Sequence, residues 1–102
     1  MKKIVNGKMY NTDTAKEVAT WSNGYYGSDF RNCTEVLYRK KNGEFFLNGW
    51  GGPMSKYREE AYGGGWTNGE TIVPLTEEEA KAWVEEHAVV DTYIALFGEV
   101  EE

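Results

Sequence analysis

The sequence predicts an α+β fold, a small antiparallel sheet built from two hairpins and one further strand, covered by an N-terminal helix and one or two C-terminal helices. Three observations carry this expectation. Asn6-Gly7 and Asn42-Gly43 each sit between apolar-containing runs, the strongest short-range signal for a hairpin. Thr76 stands three residues before Glu79 at the head of a helical apolar stripe, which is the pattern of a capping box. With few strands and helices expected at both ends, an antiparallel sheet covered mainly on one face follows. A chain of 102 residues accommodates one domain, residues 1–102, with one core.

The first hairpin spans residues 2–11. A two-residue type I′ turn at Asn6-Gly7 sets Ile4 opposite Met9, expected on a core face, with Lys3 opposite Tyr10 and Val5 opposite Lys8. Thr14 and Glu17 then fit a capping box. Ala15, Val18, Ala19 and Ser22 form a small-residue face beside Trp21, so a helix is expected over residues 14–22 and ends at Asn23-Gly24. Residues 25–32 are rich in Gly, Ser, Asp and Asn and read as a loop that carries Tyr25, Tyr26 and Phe30.

The central hairpin, residues 34–52, organises the rest. A two-residue turn at Asn42-Gly43 would pair Lys41 with Glu44, Tyr38 with Leu47, Leu37 with Asn48, Val36 with Gly49 and Glu35 with Trp50. Side-chain alternation then places Val36, Tyr38, Phe45 and Leu47 on a core face and Glu35, Leu37, Arg39, Phe46, Asn48 and Trp50 on the other, with Arg39 lying on Phe46. Met54, Tyr57, Arg58 and Ala61 recur at helical spacing before Gly63-Gly64-Gly65, so one or two helical turns are expected over residues 54–62. Thr71-Ile72-Val73 is β-branched and reads as a strand ending at Pro74.

From Thr76 a helix presents Ala80, Trp83, Val84 and His87 on one stripe. Its first-turn acids are favoured by the helix dipole, and Lys81 is spaced to pair with Glu77, Glu78 and Glu85. Val90, Tyr93, Ile94 and Phe97 form a further stripe closed by Gly98. Glu99, Glu101 and Glu102 are a charged end expected to fray.

Net charge is −6, but its layout is more informative. Residues 1–58 hold ten Lys/Arg against five Asp/Glu, whereas residues 59–102 hold twelve Asp/Glu against Lys81 alone. Such an acidic surface repels nucleic acid and attracts the basic grooves with which proteins hold it. Cys33, the only cysteine, excludes an internal disulfide and favours a reducing compartment. With no apolar run long enough for a signal peptide or a membrane span, a cytoplasmic location is expected.

No catalytic constellation is readable. A single His and a single Cys leave no zinc set, and no cofactor is expected. Gly63-Gly64-Gly65 lacks the Lys-Ser/Thr of a phosphate loop. The acids at Glu59-Glu60, Glu77-Glu78-Glu79 and Glu85-Glu86 point in different directions and do not form an acid/base pair. Partner contact is assigned instead to the aromatic anchors Trp50, Tyr57, Tyr62 and Trp66 together with Glu77, Glu78, Glu79, Glu85 and Glu86, the alternative for the rings being that they cap the open face of the central sheet in a glycine-rich wrap. Two alternatives stay open. One is a nucleic-acid-binding module using Lys2, Lys3, Lys8, Arg31, Arg39, Lys40 and Lys41 among Tyr10, Tyr25, Tyr26 and Phe46, which the net field opposes. The other is a small hydrolase with Cys33 as nucleophile and His87 as base.

Five stretches resemble a family of small proteins carried by phages, plasmids and conjugative elements of Gram-positive bacteria. They are Met9-Tyr10-Asn11-Thr12-Asp13-Thr14-Ala15, Thr34-Glu35-Val36-Leu37-Tyr38-Arg39, Gly43-Glu44-Phe45-Phe46-Leu47, Gly51-Gly52-Pro53-Met54-Ser55-Lys56-Tyr57 and Val73-Pro74-Leu75-Thr76-Glu77-Glu78-Glu79-Ala80. The resemblance covers nearly the whole chain and carries no catalytic residue. It implies a mobile-element context in which small acidic proteins include anti-defence factors such as anti-CRISPR inhibitors. The partner would then be a protein with a basic surface, a CRISPR effector or another nuclease.

Overall fold

The computed structural model describes residues 1–102. The chain forms β1 (Lys2–Val5), β2 (Lys8–Asn11), β3 (Lys16–Ser22), β4 (Cys33–Arg39), β5 (Phe45–Gly51), β6 (Glu59–Glu60), β7 (Trp66–Thr67), β8 (Gly69–Leu75), α1 (Glu77–His87) and α2 (Val90–Phe97). The class is α+β. A four-stranded antiparallel sheet in the order β3-β4-β5-β8 carries two separate hairpins, β1-β2 and β6-β7. No helix is long and apolar enough to cross a membrane.

The sheet is covered on both faces. On one, Leu37, Phe45 and Leu47 pack against Ala80, Trp83 and Val84 of α1, with Phe97 and Leu96 of α2 at the edge. On the other, Phe46 and Ile72 meet Tyr10 of the first hairpin, and Phe46 lies between the stacked ring of Tyr38 at 5.2 Å and the edge of Tyr10 at 5.5 Å. Full burial of such a side chain stabilises by about 1.5–3 kcal/mol. Double cover explains why β4 and β5 are buried almost continuously rather than alternately.

The expected helix over residues 14–22 is instead β3, and no N-terminal helix covers the sheet. Thr14 imitates a cap, but its hydroxyl bonds to Asn11 O, and the Glu17 carboxylate accepts from Thr20 Oγ1 rather than reaching back. Val18, Thr20 and Trp21 suit a strand, and pairing β3 with β4, with a bulge at Val18, satisfies an edge that would otherwise be open.

The central hairpin is displaced by one residue from its expected register. Tyr38 pairs with Phe46, Leu37 with Leu47, Val36 with Asn48 and Glu35 with Gly49. Asn42 does not adopt positive φ; only Gly43 does, at 92°, and a Lys40 N to Glu44 O bond closes a three-residue loop. Asn42 Oδ1 accepts from Glu44 N and so builds the turn with its side chain. A one-residue slip exchanges faces. Phe45 and Leu47 therefore join Leu37 and Glu35 under the helices, Phe46 and Asn48 join Val36 and Tyr38, and Arg39 lies over Phe45, 5.1 Å from its centroid, rather than Phe46.

The first hairpin has its expected register and its type I′ turn, with Asn6 at φ 51° and Gly7 at φ 77°. Its faces are reversed in use, however. Ile4 and Met9 are exposed, while Tyr10 is buried and Lys3 and Lys8 reach across to Thr71 and Glu44. Residues 54–62 make no helix. Ser55 Oγ bonds to Gly52 O and Tyr57 N in a buried turn, and the chain continues into the β6-β7 hairpin around Gly63-Gly64-Gly65, all at positive φ. The strand expected to stop at Pro74 runs on to Leu75. Pro74 is tolerated because β8 lies at the edge of the sheet. The Thr76–Glu79 capping box forms, both C-terminal helices form, and Gly98 closes the second.

Candidate functional site

The capping box fixes the start of α1, which places Glu77 and Glu78 exposed at the positive end of the helix dipole and Glu85 and Glu86 exposed about two turns later. Glu79 is partly committed, because its Oε1 accepts from Thr76 N at 2.9 Å. None of the twelve acids from Glu59 onward forms an ion pair with Lys or Arg. The pairs that do form lie in the first half: Lys8 and Lys40 on Glu44, Arg31 on Asp29, and Lys56 on Glu35. Lys8, Asn42 and Lys40 hold the Glu44 carboxyl down to about 2, and Arg31 does the same for Asp29. Lys81 does not pair with its helix neighbours; its Nζ lies 5.6 Å from the Phe97 ring centroid.

The aromatic anchors separate. Tyr62 and Trp66 are exposed, with the Arg58 guanidinium 4.4 Å from the Trp66 ring centroid, and Trp50 is 36% exposed on the sheet face opposite α1. Tyr57 is buried on the α1 side of the sheet. Its ring lies over Gly49 so closely that a Cβ there would stand 2.0 Å from Cζ.

Tyr57 belongs to a buried polar cluster that sequence reasoning missed. Glu35 is 1% exposed and receives Tyr57 Oη, Trp83 Nε1 at 3.0 Å and Lys56 Nζ at 2.8 Å. Desolvation pushes the carboxyl up, but the bonds from Lys56, Tyr57 and Trp83, together with the Lys56 charge, hold it below its ordinary value. The same burial and bond push the Tyr57 phenol far up. The available signal was a lone Glu inside an apolar strand, and the slipped register hid the Gly49 opposite it.

Cys33 and His87 are not joined by a hydrogen bond. His87 lies between the Trp21 and Trp83 rings, with centroids at 4.3 and 5.2 Å. Burial, followed by the Glu35 charge, raises the Cys33 thiol above its ordinary value, which disfavours the thiolate. Of the rings expected to stack on nucleic acid, Tyr10 and Phe46 are in the core, while Tyr25 and Tyr26 are exposed. No cluster of three or more His, Cys, Asp or Glu side chains is placed to hold a metal. Comparison with protein-family models, with curated proteins and with solved structures returned no match.

Proposed function

We propose that this chain is a non-enzymatic binding protein of a mobile genetic element. It docks its acidic helical surface on a basic nucleic-acid-handling protein, as an anti-defence inhibitor of a CRISPR effector would. The observation that carries this reading is the set of exposed carboxylates on a capped, ordered helix with no Lys or Arg of the chain neutralising them. Ordered charge costs little further entropy on docking, and complementary fields speed the encounter with a basic groove. The mobile-element context is supported by the resemblance of the five stretches above.

The test is binding to an immobilised RNA-guided CRISPR nuclease at low ionic strength, with and without reversal of the helix charges at Glu77→Lys, Glu78→Lys, Glu85→Lys and Glu86→Lys. Glu79 is retained because it closes the cap. The complex is expected to weaken steeply with salt, and the reversed variant to lose at least about tenfold in affinity. An affinity indifferent to both changes would end this reading.

A further inference from the structure

Beyond the cover given by the first hairpin, the far ends of β5 and β8 leave an open cleft of about 640 Å³, lined by Asn48, Trp50, Glu70, Asn32, Glu59 and Asn68. Asn48, Trp50 and Glu70 share one sheet face, since Trp50 pairs with Glu70 and side chains alternate along β5. The hydrogen bonds already made there define what the cleft lacks. Asn32 Nδ2 is spent on Gly27 O at 3.2 Å and Asp29 O at 2.6 Å. Asn48 Nδ2 is spent on Glu70 Oε2 at 3.1 Å, Thr71 O at 3.3 Å and Met1 Sδ at 3.5 Å.

Asn48 Oδ1, by contrast, accepts nothing. The residue is only 6% exposed, yet no enclosed side-chain polar atom of the chain lacks a partner, so this oxygen opens to solvent. Glu59 Oε2 accepts only from Glu70 N at 3.4 Å, and neither Glu59 nor Glu70 has a cationic partner. Trp50 has neither an aromatic nor a cationic neighbour on its ring, whereas Trp66 already carries Arg58. The unused groups are thus the Oε1 atoms of two carboxylates that lack a cation, an amide oxygen of a nearly buried side chain and an open indole face. Against these acceptors, Asn68 and the Trp50 indole N–H are the only side-chain donors.

An occupant matching this set is planar, cationic and rich in donors. A saccharide needs donors and acceptors in balance, and an ammonium has no plane to lay on a ring. A guanidinium has five N–H donors, no acceptor, and a flat face that stacks on indole. We infer that the cleft receives an arginine side chain, its guanidinium lying on Trp50 and donating to Glu59, Glu70 and Asn48 Oδ1. The chemistry of the cleft stands alone; only the further step, that a basic partner protein presents this arginine, rests on the docking reading above.

The experiment titrates Nα-acetyl-arginine amide into the full chain and follows the Trp50 indole N–H resonance, assigned through Trp50→Phe. A saturable shift is expected, weaker by at least about tenfold in the Glu59→Gln, Glu70→Gln double variant and for the neutral citrulline and the lysine analogues. The α1-reversed variant should bind arginine as the parent does. The inference is overturned by no saturable shift, by an equal response to citrulline or lysine, or by N-acetylglucosamine moving the same resonance more strongly. If arginine fails while the nuclease still binds through α1, this inference falls and the docking reading stands. If arginine binds but charge reversal leaves nuclease affinity unchanged, the docking reading falls and the cleft stands.

Discussion

The two faces of the central sheet each carry a buried polar side chain on adjacent strands, Glu35 of β4 under the helices and Asn48 of β5 on the hairpin side. They are almost equally hidden from water, but their hydrogen bonding differs in completeness. Glu35 receives three donors, two from the neighbouring Lys56 and Tyr57 and one from Trp83, and so ties β4 to the turn after β5 and to α1. Asn48 spends its amide nitrogen and keeps its oxygen free. A satisfied buried group fixes a structure, whereas an unsatisfied one that still reaches solvent is an offer to a ligand. The sheet face under the helices is thus closed by its own hydrogen bonds, whereas the hairpin face keeps the acceptor on which the proposed arginine site draws.

That contrast is broken most directly by Glu35→Ala. Removing the carboxylate leaves the Tyr57 hydroxyl and the Trp83 N–H buried without a partner, and a loss of about 3–5 kcal/mol in urea unfolding is expected. A loss under about 1 kcal/mol would mean that water enters the cluster, and the helix face would no longer be the closed one.

A smaller effect sharpens the same point through pH. Tyr57→Phe removes one donor and should cost about 1–2 kcal/mol near neutral pH. The folded Tyr57 phenol is raised above its ordinary value of 10.0, so its contribution is present below that pH and is lost as pH rises beyond it. The stability gap between parent and Tyr57→Phe should therefore narrow on the alkaline side. Glu35, held below its ordinary 4.5, acts in the opposite sense: its contribution is full above that pH and is lost as pH falls through the lowered value. A gap that stays constant from neutral to strongly alkaline pH would remove Tyr57 from the cluster's energetics.

What could be read from sequence was what short-range chemistry decides. Asn6-Gly7 and the Thr76–Glu79 box act within a few residues, and both form as expected. Thr14 and Glu17 have the same local spacing as a cap, yet the free edge of β4 outweighs it, and that edge is invisible until β4 is placed. Asn42-Gly43 repeats the dipeptide of the first hairpin in a different turn. Asn42 bonds through its side chain to Glu44, and the register this turn sets puts Phe46 beside Tyr38 on one face and Leu47 beside Leu37 on the other. Concentrated acidity in the last two-fifths is a matter of counting and was legible. The Glu35 cluster needed the true register, and the Trp50 cleft needed residues as distant as Asn32, Asn48, Glu59 and Glu70 to be brought together.

The smallest expected effect on stability separates the two faces most finely. Glu70 is exposed, and its Oε2 only orients the Asn48 amide, so the amide oxygen of Glu70→Gln can accept the same bond. Thermal unfolding of Glu70→Gln should therefore stay within about 0.5 kcal/mol of the parent. A loss above about 1 kcal/mol would make the Asn48–Glu70 bond a structural tie of the kind Glu35 makes, and the hairpin face would then be closed to a ligand as well.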